Sequence, residues 1–185
     1  NGVFIAHSPE SNMNLASGVA PIYKFLDNGL QVGLATDVAG GSHESMLRAM
    51  MHAIQASKLR WRLLDQSVKP LSFERAFYLA TMGGGQFFGK VGSFLDGYEL
   101  DAVVLDDAGL EHPQPLSARA RLERMVYLAD ERNIAANSSP AERLCKDLTT
   151  AIPGCSASGD FYRFFGGNGV EFGWFPACIV CGCVV

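Results

Sequence analysis

The chain has 185 residues, a formal net charge of −4 at pH 7, and a composition that is 48% hydrophobic and 18% charged. These values are ordinary for a globular protein of one or two domains, and the lack of a basic excess argues against nucleic acid as a partner. Since there is no run of about 18 apolar residues and no signal-peptide pattern, we expect a cytoplasmic protein without a membrane partner.

The first third of the chain alternates between short apolar runs and polar connections. Residues 2–6 are apolar and predict a buried strand. Residues 7–18 are polar and include Pro9, so we expect a loop that leaves this strand. A helix is predicted over residues 21–28, because apolar side chains recur there on one face.

The most informative stretch follows, over residues 31–45. Its apolar start predicts a buried strand that ends at Asp37, and the Gly40-Gly41 pair permits a tight turn. Ser42 is a residue type that caps helices, so we expect a helix to begin there. Catalytic residues of barrel and open α/β enzymes usually lie where strands end, which makes Asp37 a candidate catalytic residue. An Asp before a glycine turn is also a common turn former, and the spacing alone leaves both interpretations open.

The remaining sequence predicts further elements and a change of character near its end. Helices are predicted over residues 42–64, 72–81, 118–130 and 143–149, and short strands with turns over residues 89–107. All five cysteines fall within the last 41 residues. Cys178 and Cys181 have the spacing of half a zinc site, but a closed site needs four ligands, so free thiols or a divergent tail are the competing interpretations.

Two of these stretches resemble a known family. Residues 5–18 and 32–41 are similar to the C-terminal part of the guanine deaminases, which belong to the metal-dependent amidohydrolase superfamily. Shorter similarities continue to residue 136. Related nucleoside-type deaminases tend to carry Thr-Asp-Gly where this chain has Thr36-Asp37-Val38-Ala39-Gly40-Gly41, and this difference favours guanine as the substrate.

The resemblance implies an α/β fold, namely the C-terminal portion of a (β/α)₈ TIM-type barrel with part of a small β-sandwich. Residues 2–6 would be the seventh barrel strand, and residues 32–36 the eighth. The expected division is barrel over residues 1–88, sandwich return and terminal helix over 89–136, and a divergent, irregular Cys- and Gly-rich tail over 137–185.

The resemblance also implies a chemistry. Asp37 matches the family's metal-site aspartate, which would act on a zinc-activated water that converts guanine to xanthine and ammonia. One Zn²⁺ per complete site is expected, with Fe²⁺ as the alternative, and the full-length protein is expected to be a homodimer that binds guanine and water. His7 and Asn12 match a pocket motif and are expected to contact substrate. The other histidines, His43, His52 and His112, match no catalytic motif and are expected at the surface.

Two other hypotheses compete with this one. The first is a related deaminase or chlorohydrolase that acts on another purine, a pterin or a triazine. The second is a short, non-catalytic half-barrel that serves as a binding or oligomerisation module. The observation that favours this second hypothesis is that the chain has no His-x-His pair, whereas the family carries such a pair on its first barrel strand.

The first prediction follows from two features of the chain. It has no His-x-His pair, and its 185 residues are fewer than the about 250 of a typical barrel. We expect the 185-residue chain to be a C-terminal fragment of such an enzyme and to release no ammonia from guanine by itself. The measurement is an ammonia assay on the purified, zinc-supplemented chain, and deamination above a no-protein control would contradict the expectation.

Overall fold

The computed structural model describes residues 2–138 and 177–181. The helices are α1 (Pro9–Asn14), α2 (Ile22–Asp27), α3 (Met46–Leu63), α4 (Phe73–Tyr78) and α5 (Ala118–Leu128). The strands are β1 (Phe4–His7), β2 (Gln31–Leu34), β3 (Ala102–Asp106), β4 (Ile134–Ser138) and β5 (Ala177–Cys181). A π-turn over Leu79–Gly83 extends α4, and a 3₁₀ turn over Glu131–Asn133 precedes β4. None of the described helices combines the length and apolar character needed to cross a membrane.

Strands β1 and β2 pair in parallel, as expected for two successive β-strands joined by a crossover. Phe4 lies opposite Gln31, and His7 lies opposite Leu34. The pairing continues one residue further, because the Ala35 amide donates to the His7 carbonyl over 2.9 Å. Both strands therefore end at the same edge of this two-stranded sheet.

The segment between β1 and β2 contains a helix that the sequence analysis missed. We expected residues 7–18 to form a loop, and that expectation is wrong over α1. Pro9 begins this helix, where its ring pre-sets the helical φ and its missing N–H has no helical partner to lose. Proline therefore acts here as a helix start.

Helix α3 forms the centre of the main core. Met50, Ile54 and neighbouring alanines of α3 are buried together with Val32 and Leu34 of β2 and with the inner face of α4. The helix begins later than expected: its N-cap is Ser45, whose hydroxyl accepts from the Arg48 amide, so the assignment of the cap to Ser42 is wrong. The Ser42 hydroxyl instead donates to Glu10 on α1.

The π-turn after α4 packs against β2 at backbone distance. A Cβ on Gly33 would lie 2.8 Å from the Gly84 Cα and 2.7 Å from the Phe4 ring. Real Cβ atoms do not approach other atoms this closely, so glycine is required for the contact. The helix was expected to end near residue 81, but the turn carries it on through Gly83.

A second sheet has strand order β4-β3-β5 and is antiparallel. Strand β3 packs Leu105 against Met125 of α5, and Arg121 of α5 forms a two-pronged ion pair with Asp107 just beyond the strand. Within residues 89–107 this is one strand rather than several short ones. Strand β5 comes from the stretch expected to be an irregular tail. The helix expected at residues 143–149 and the cysteine side chains lie outside the described part of the structure.

The close contact at Gly33 generates a stability prediction. Gly33→Ala should lower the free energy of unfolding by about 1–3 kcal/mol, because the added methyl group overpacks a site with backbone on one side. Urea unfolding measures the change. Gly109→Ala is the matched control, because a Cβ there meets nothing within 4 Å. Equal stability of the two variants would contradict the backbone contact.

Candidate active site

Asp37 lies beyond the carboxyl end of β2, at the edge of the sheet where β1 also ends. Its backbone is in the left-handed region, with φ of +51°. Asp and Asn are the non-glycine residues that enter this region most readily. The Ser11 hydroxyl donates to Asp37 Oδ2 over 2.6 Å, which gives the carboxylate a defined orientation. The structure therefore presents a positioned carboxylate at the end of a strand.

The backbone after Asp37 folds back on this residue. We call residues 37–42 the carboxylate loop. The amides of Gly40 and Gly41 both donate to the Asp37 carbonyl, over 2.9 and 2.6 Å. A Cβ on Gly40 would lie 2.6 Å from both Asp37 Oδ2 and Ser11 Oγ, so a larger residue would displace the carboxylate from its hydroxyl partner. Ala39 has φ of +83°, a strained value for a residue with a side chain.

Three side chains of α1 hold the carboxylate loop at three points. Ser11 bonds Asp37, Asn14 Nδ2 donates to the Gly40 carbonyl over 2.9 Å, and Glu10 accepts from the Ser42 hydroxyl. The sequence analysis singled out none of these three residues. The available signal was Pro9, because a helix beginning there places residues three and four apart on one face.

His7, the last residue of β1, is predicted to contact substrate. Its side chain is buried, with only 5% exposure for the residue, and burial lowers the pKa of the imidazole from 6.5 to about 4. The imidazole is therefore neutral at neutral pH, with one nitrogen donating and the other accepting. His7 and Asp37 follow neighbouring strands at the same sheet edge.

The remaining candidates have different surroundings. Asn12 is half-buried in α1, between Ser11 and Asn14 in sequence, and its role as a substrate contact stays a prediction. His43 lies near Arg48, with 3.1 Å between its Nε2 and an arginine nitrogen, and His112 is exposed. His52 was expected at the helix surface, but its side chain is only 18% exposed and lies beside Glu10.

A cleft of about 650 Å³ lies next to the carboxylate loop. It separates the start of α3 from the π-turn and the second sheet, and Ser42, Arg48, Thr81 and Asp130 are among its lining residues. Ser42 belongs to both the cleft and the carboxylate loop. Asp37, His7 and Asn12 are not among the residues that line the cleft.

The described residues do not supply the full ligand set of a catalytic metal ion. A catalytic zinc takes three protein ligands, with histidine nitrogens and carboxylate oxygens as common donors. No group of three or more His, Cys, Asp or Glu side chains in the described ranges could hold a metal ion. Asp37 is a suitable single ligand, but these residues do not form a complete zinc site.

Comparison with known proteins agrees with this architecture. A parallel βα arrangement with a carboxylate beyond the strand end is typical of α/β barrel enzymes. The sequence profile of the amidohydrolase family matches residues 1–136. The chain belongs to the amidohydrolase family.

Relatives within the family are similar over about the same residues. Human guanine deaminase is 36% identical over 146 residues, which cover 72% of this chain and 32% of that protein. The 5-methylthioadenosine/S-adenosylhomocysteine deaminase of Bacillus cereus is 33% identical over 138 residues, covering 73% of this chain and 30% of that protein.

A solved structure agrees with these similarities. The crystal structure of guanine deaminase from C. acetobutylicum, with guanine bound in its active site, matches 74% of this chain at a TM-score of 0.70 and 44% identity. The match covers 32% of that structure's chain. The present chain thus spans about a third of the length of the relatives it matches.

The buried His7 generates a prediction about pH. Because the folded-state pKa of about 4 lies below the unfolded value of 6.5, the stabilisation by neutral His7 is complete above pH 6.5 and is lost as the pH falls toward 4. The loss should reach about 3 kcal/mol at the acidic end. His7→Gln should remove this part of the pH dependence of urea unfolding, and His112→Gln at an exposed position should not. An unchanged pH dependence in His7→Gln would contradict the burial of the imidazole.

Proposed function

We propose that this chain contributes the Asp37 end of an active site that hydrolyses guanine to xanthine and ammonia. The observation that carries the proposal is the carboxylate of Asp37, held by Ser11 at the end of a parallel strand. The similarity to a guanine deaminase structure with bound guanine supports the choice of substrate. In this proposal, β1 and β2 are the last two strands of a (β/α)₈ barrel, and the second sheet belongs to a β-sandwich.

The reaction consumes one water molecule for each ammonia released. The water oxygen bonds to the purine carbon that bears the amino group, and the bond from that carbon to the amino nitrogen breaks. The amino nitrogen gains one proton and leaves as ammonia, while the second proton of the water ends on a ring nitrogen of xanthine. A proton must therefore move from the water toward the departing nitrogen, and a carboxylate near the reacting atoms can accept and return it.

Asp37 is suited to this proton transfer. Ser11 donates to Oδ2, so that oxygen is already engaged and we assign the proton-accepting role to Oδ1. The fixed orientation of the carboxylate lowers the entropy cost of reaching the reactive geometry. The neutral imidazole of His7 offers one donor and one acceptor, which suits the edge of an uncharged purine. Asn12 is proposed as a second substrate contact on α1.

Guanine deaminases and their relatives are metal-dependent, and we propose Zn²⁺, with Fe²⁺ as the alternative. Such a metal, when bound, acidifies a coordinated water toward neutral pH. Asp37 would be one of its ligands. Since the described residues do not complete a zinc site, we derive no step through the metal from this chain. The cytoplasmic location and the homodimer stay predictions.

The direct test uses the native protein, located in its source cells by peptides from residues 32–48 and measured for intact mass. Its purified form would be offered guanine, S-adenosylhomocysteine and a triazine, with ammonia release as the readout. We expect ammonia from guanine. Release from S-adenosylhomocysteine alone would favour the second candidate, a deaminase like the Bacillus cereus relative. No release from any of these substrates would favour the non-catalytic module.

The role of Asp37 yields a further prediction. Asp37→Asn should lower kcat for guanine about 100-fold or more, the scale of lost acid–base catalysis, while asparagine still tolerates the left-handed backbone. The thermal midpoint of this variant should therefore stay close to that of wild type. Asp27→Asn, at the end of α2, makes the same chemical change elsewhere and should leave kcat unchanged. A kcat that survives in Asp37→Asn would contradict the assignment.

A further inference from the structure

Glu10 connects the carboxylate loop to helix α3. One of its carboxylate oxygens accepts a hydrogen bond from the Ser42 hydroxyl, at the end of the loop, across 32 positions of sequence. Its other oxygen, Oε2, lies 3.6 Å from Nδ1 of His52, on the second turn of α3. A single side chain of α1 therefore contacts both the loop and the helix that follows it.

This connection is shielded from solvent on its α3 side. The side chains of Glu10 and His52 are 15% and 18% exposed. Among the described side chains, His52 Nδ1 is a buried nitrogen without a hydrogen-bond partner, and the Glu10 carboxylate lies 3.6 Å from it. Burial raises the pKa of Glu10, but the Ser42 hydrogen bond and the histidines His52 and His43 together lower it below its usual value. Glu10 is thus ionised at neutral pH.

The carboxylate loop needs such an external support. Asp37 and Ala39 both have positive φ, and strained backbone persists only where the surrounding contacts determine it. Helix α1 has only six residues, too few to be stable without tertiary packing. The contact between Glu10 and α3 is therefore suited to hold α1 in place, and with it Ser11 and Asn14.

We infer that Glu10 is a positioning residue for Asp37, acting through Ser42 at the end of the carboxylate loop and braced by His52 of α3. The inference deepens the proposed function and rests on it for the catalytic consequence. Its structural consequence, an ordered loop, does not depend on guanine being the substrate. Without the contact, the loop ends in a free hydroxyl, and the Gly40 and Gly41 amides are less firmly held.

A double-mutant cycle in the native full-length protein tests the inference. Glu10→Ala and Ser42→Ala should each speed hydrogen exchange of the Gly40 and Gly41 amides about 10-fold, as expected for losing a hydrogen bond to a charged group. The double variant should exchange these amides no faster than Glu10→Ala, because Glu10→Ala already removes the contact with Ser42. Each single variant should lower kcat for guanine by a similar factor and leave KM nearly unchanged.

Three further variants separate positioning from a general loss of structure. Ser42→Thr keeps the hydroxyl, and Glu10→Gln keeps an acceptor for it. The Gly40 and Gly41 amides of both variants should therefore exchange more slowly than those of the alanine variants. Ser67→Ala removes a comparable hydroxyl–carboxylate bond, to Asp65 just beyond the far end of α3, and should leave the loop amides unchanged. If Glu10→Ala fails to fold, Ser42→Ala and Glu10→Gln still decide the inference.

The outcomes are distinct. Additive effects in the double variant, or loop amides that exchange at the wild-type rate in Ser42→Ala, would overturn the inference. An increase of equal size in the exchange rate of the Gly40 and Gly41 amides in Ser67→Ala would overturn the inference as well. If the wild-type protein releases no ammonia from guanine while the exchange cycle behaves as expected, the proposed function fails and the positioning of the loop by Glu10 stands.

Discussion

The parallel pairing of β1 with β2 is the constraint on which the candidate site depends. It brings the two carboxyl ends to one edge, where the Ala35 amide bonds the His7 carbonyl and continues the pairing past Leu34. Asp37 follows two residues later, and α1 begins two residues after His7. The same pairing thus positions both the carboxylate and the helix whose Ser11 orients it. Glycine at position 33 of β2 also allows the backbone at Gly84, directly after the π-turn, to pack closely on this sheet.

The site combines local strain with external support. Positive φ values at Asp37 and Ala39 direct the carboxylate back over Gly40, a conformation that an isolated loop would seldom adopt. Ser11, Asn14 and Glu10 compensate by bonding the loop at its start, middle and end. A short helix can do this because its side chains three and four positions apart share a face. Proteins often place strain where function needs a precise geometry, and this arrangement supports a functional role for the loop.

Sequence patterns identified the elements whose signals are local. The apolar runs predicted β1 and β2, and periodic apolar residues predicted α2, α3 and α5. The position of Asp37 at a strand end also followed from its neighbours. The errors arose where two local signals compete. Ser42 and Ser45 are equally good N-cap residues by type, but in the structure Ser45 caps α3 while the Ser42 hydroxyl donates to Glu10, which lies far away in sequence. Pro9 was interpreted as a loop signal, although proline also begins helices.

The sequence by itself determined the family and the strand that ends before Asp37. The family follows from the resemblance of short stretches to known sequences, and the strand follows from its apolar run; both signals lie in residues close together in the chain. Only the tertiary structure decided which oxygen of Asp37 is engaged, which serine caps α3, and that His7 is buried and neutral. Each of these depends on contacts between residues distant in sequence, such as Ser11 with Asp37, 26 positions apart. Hydrogen-bond partners and desolvation are set by packing, and packing forms only when the strands and helices come together.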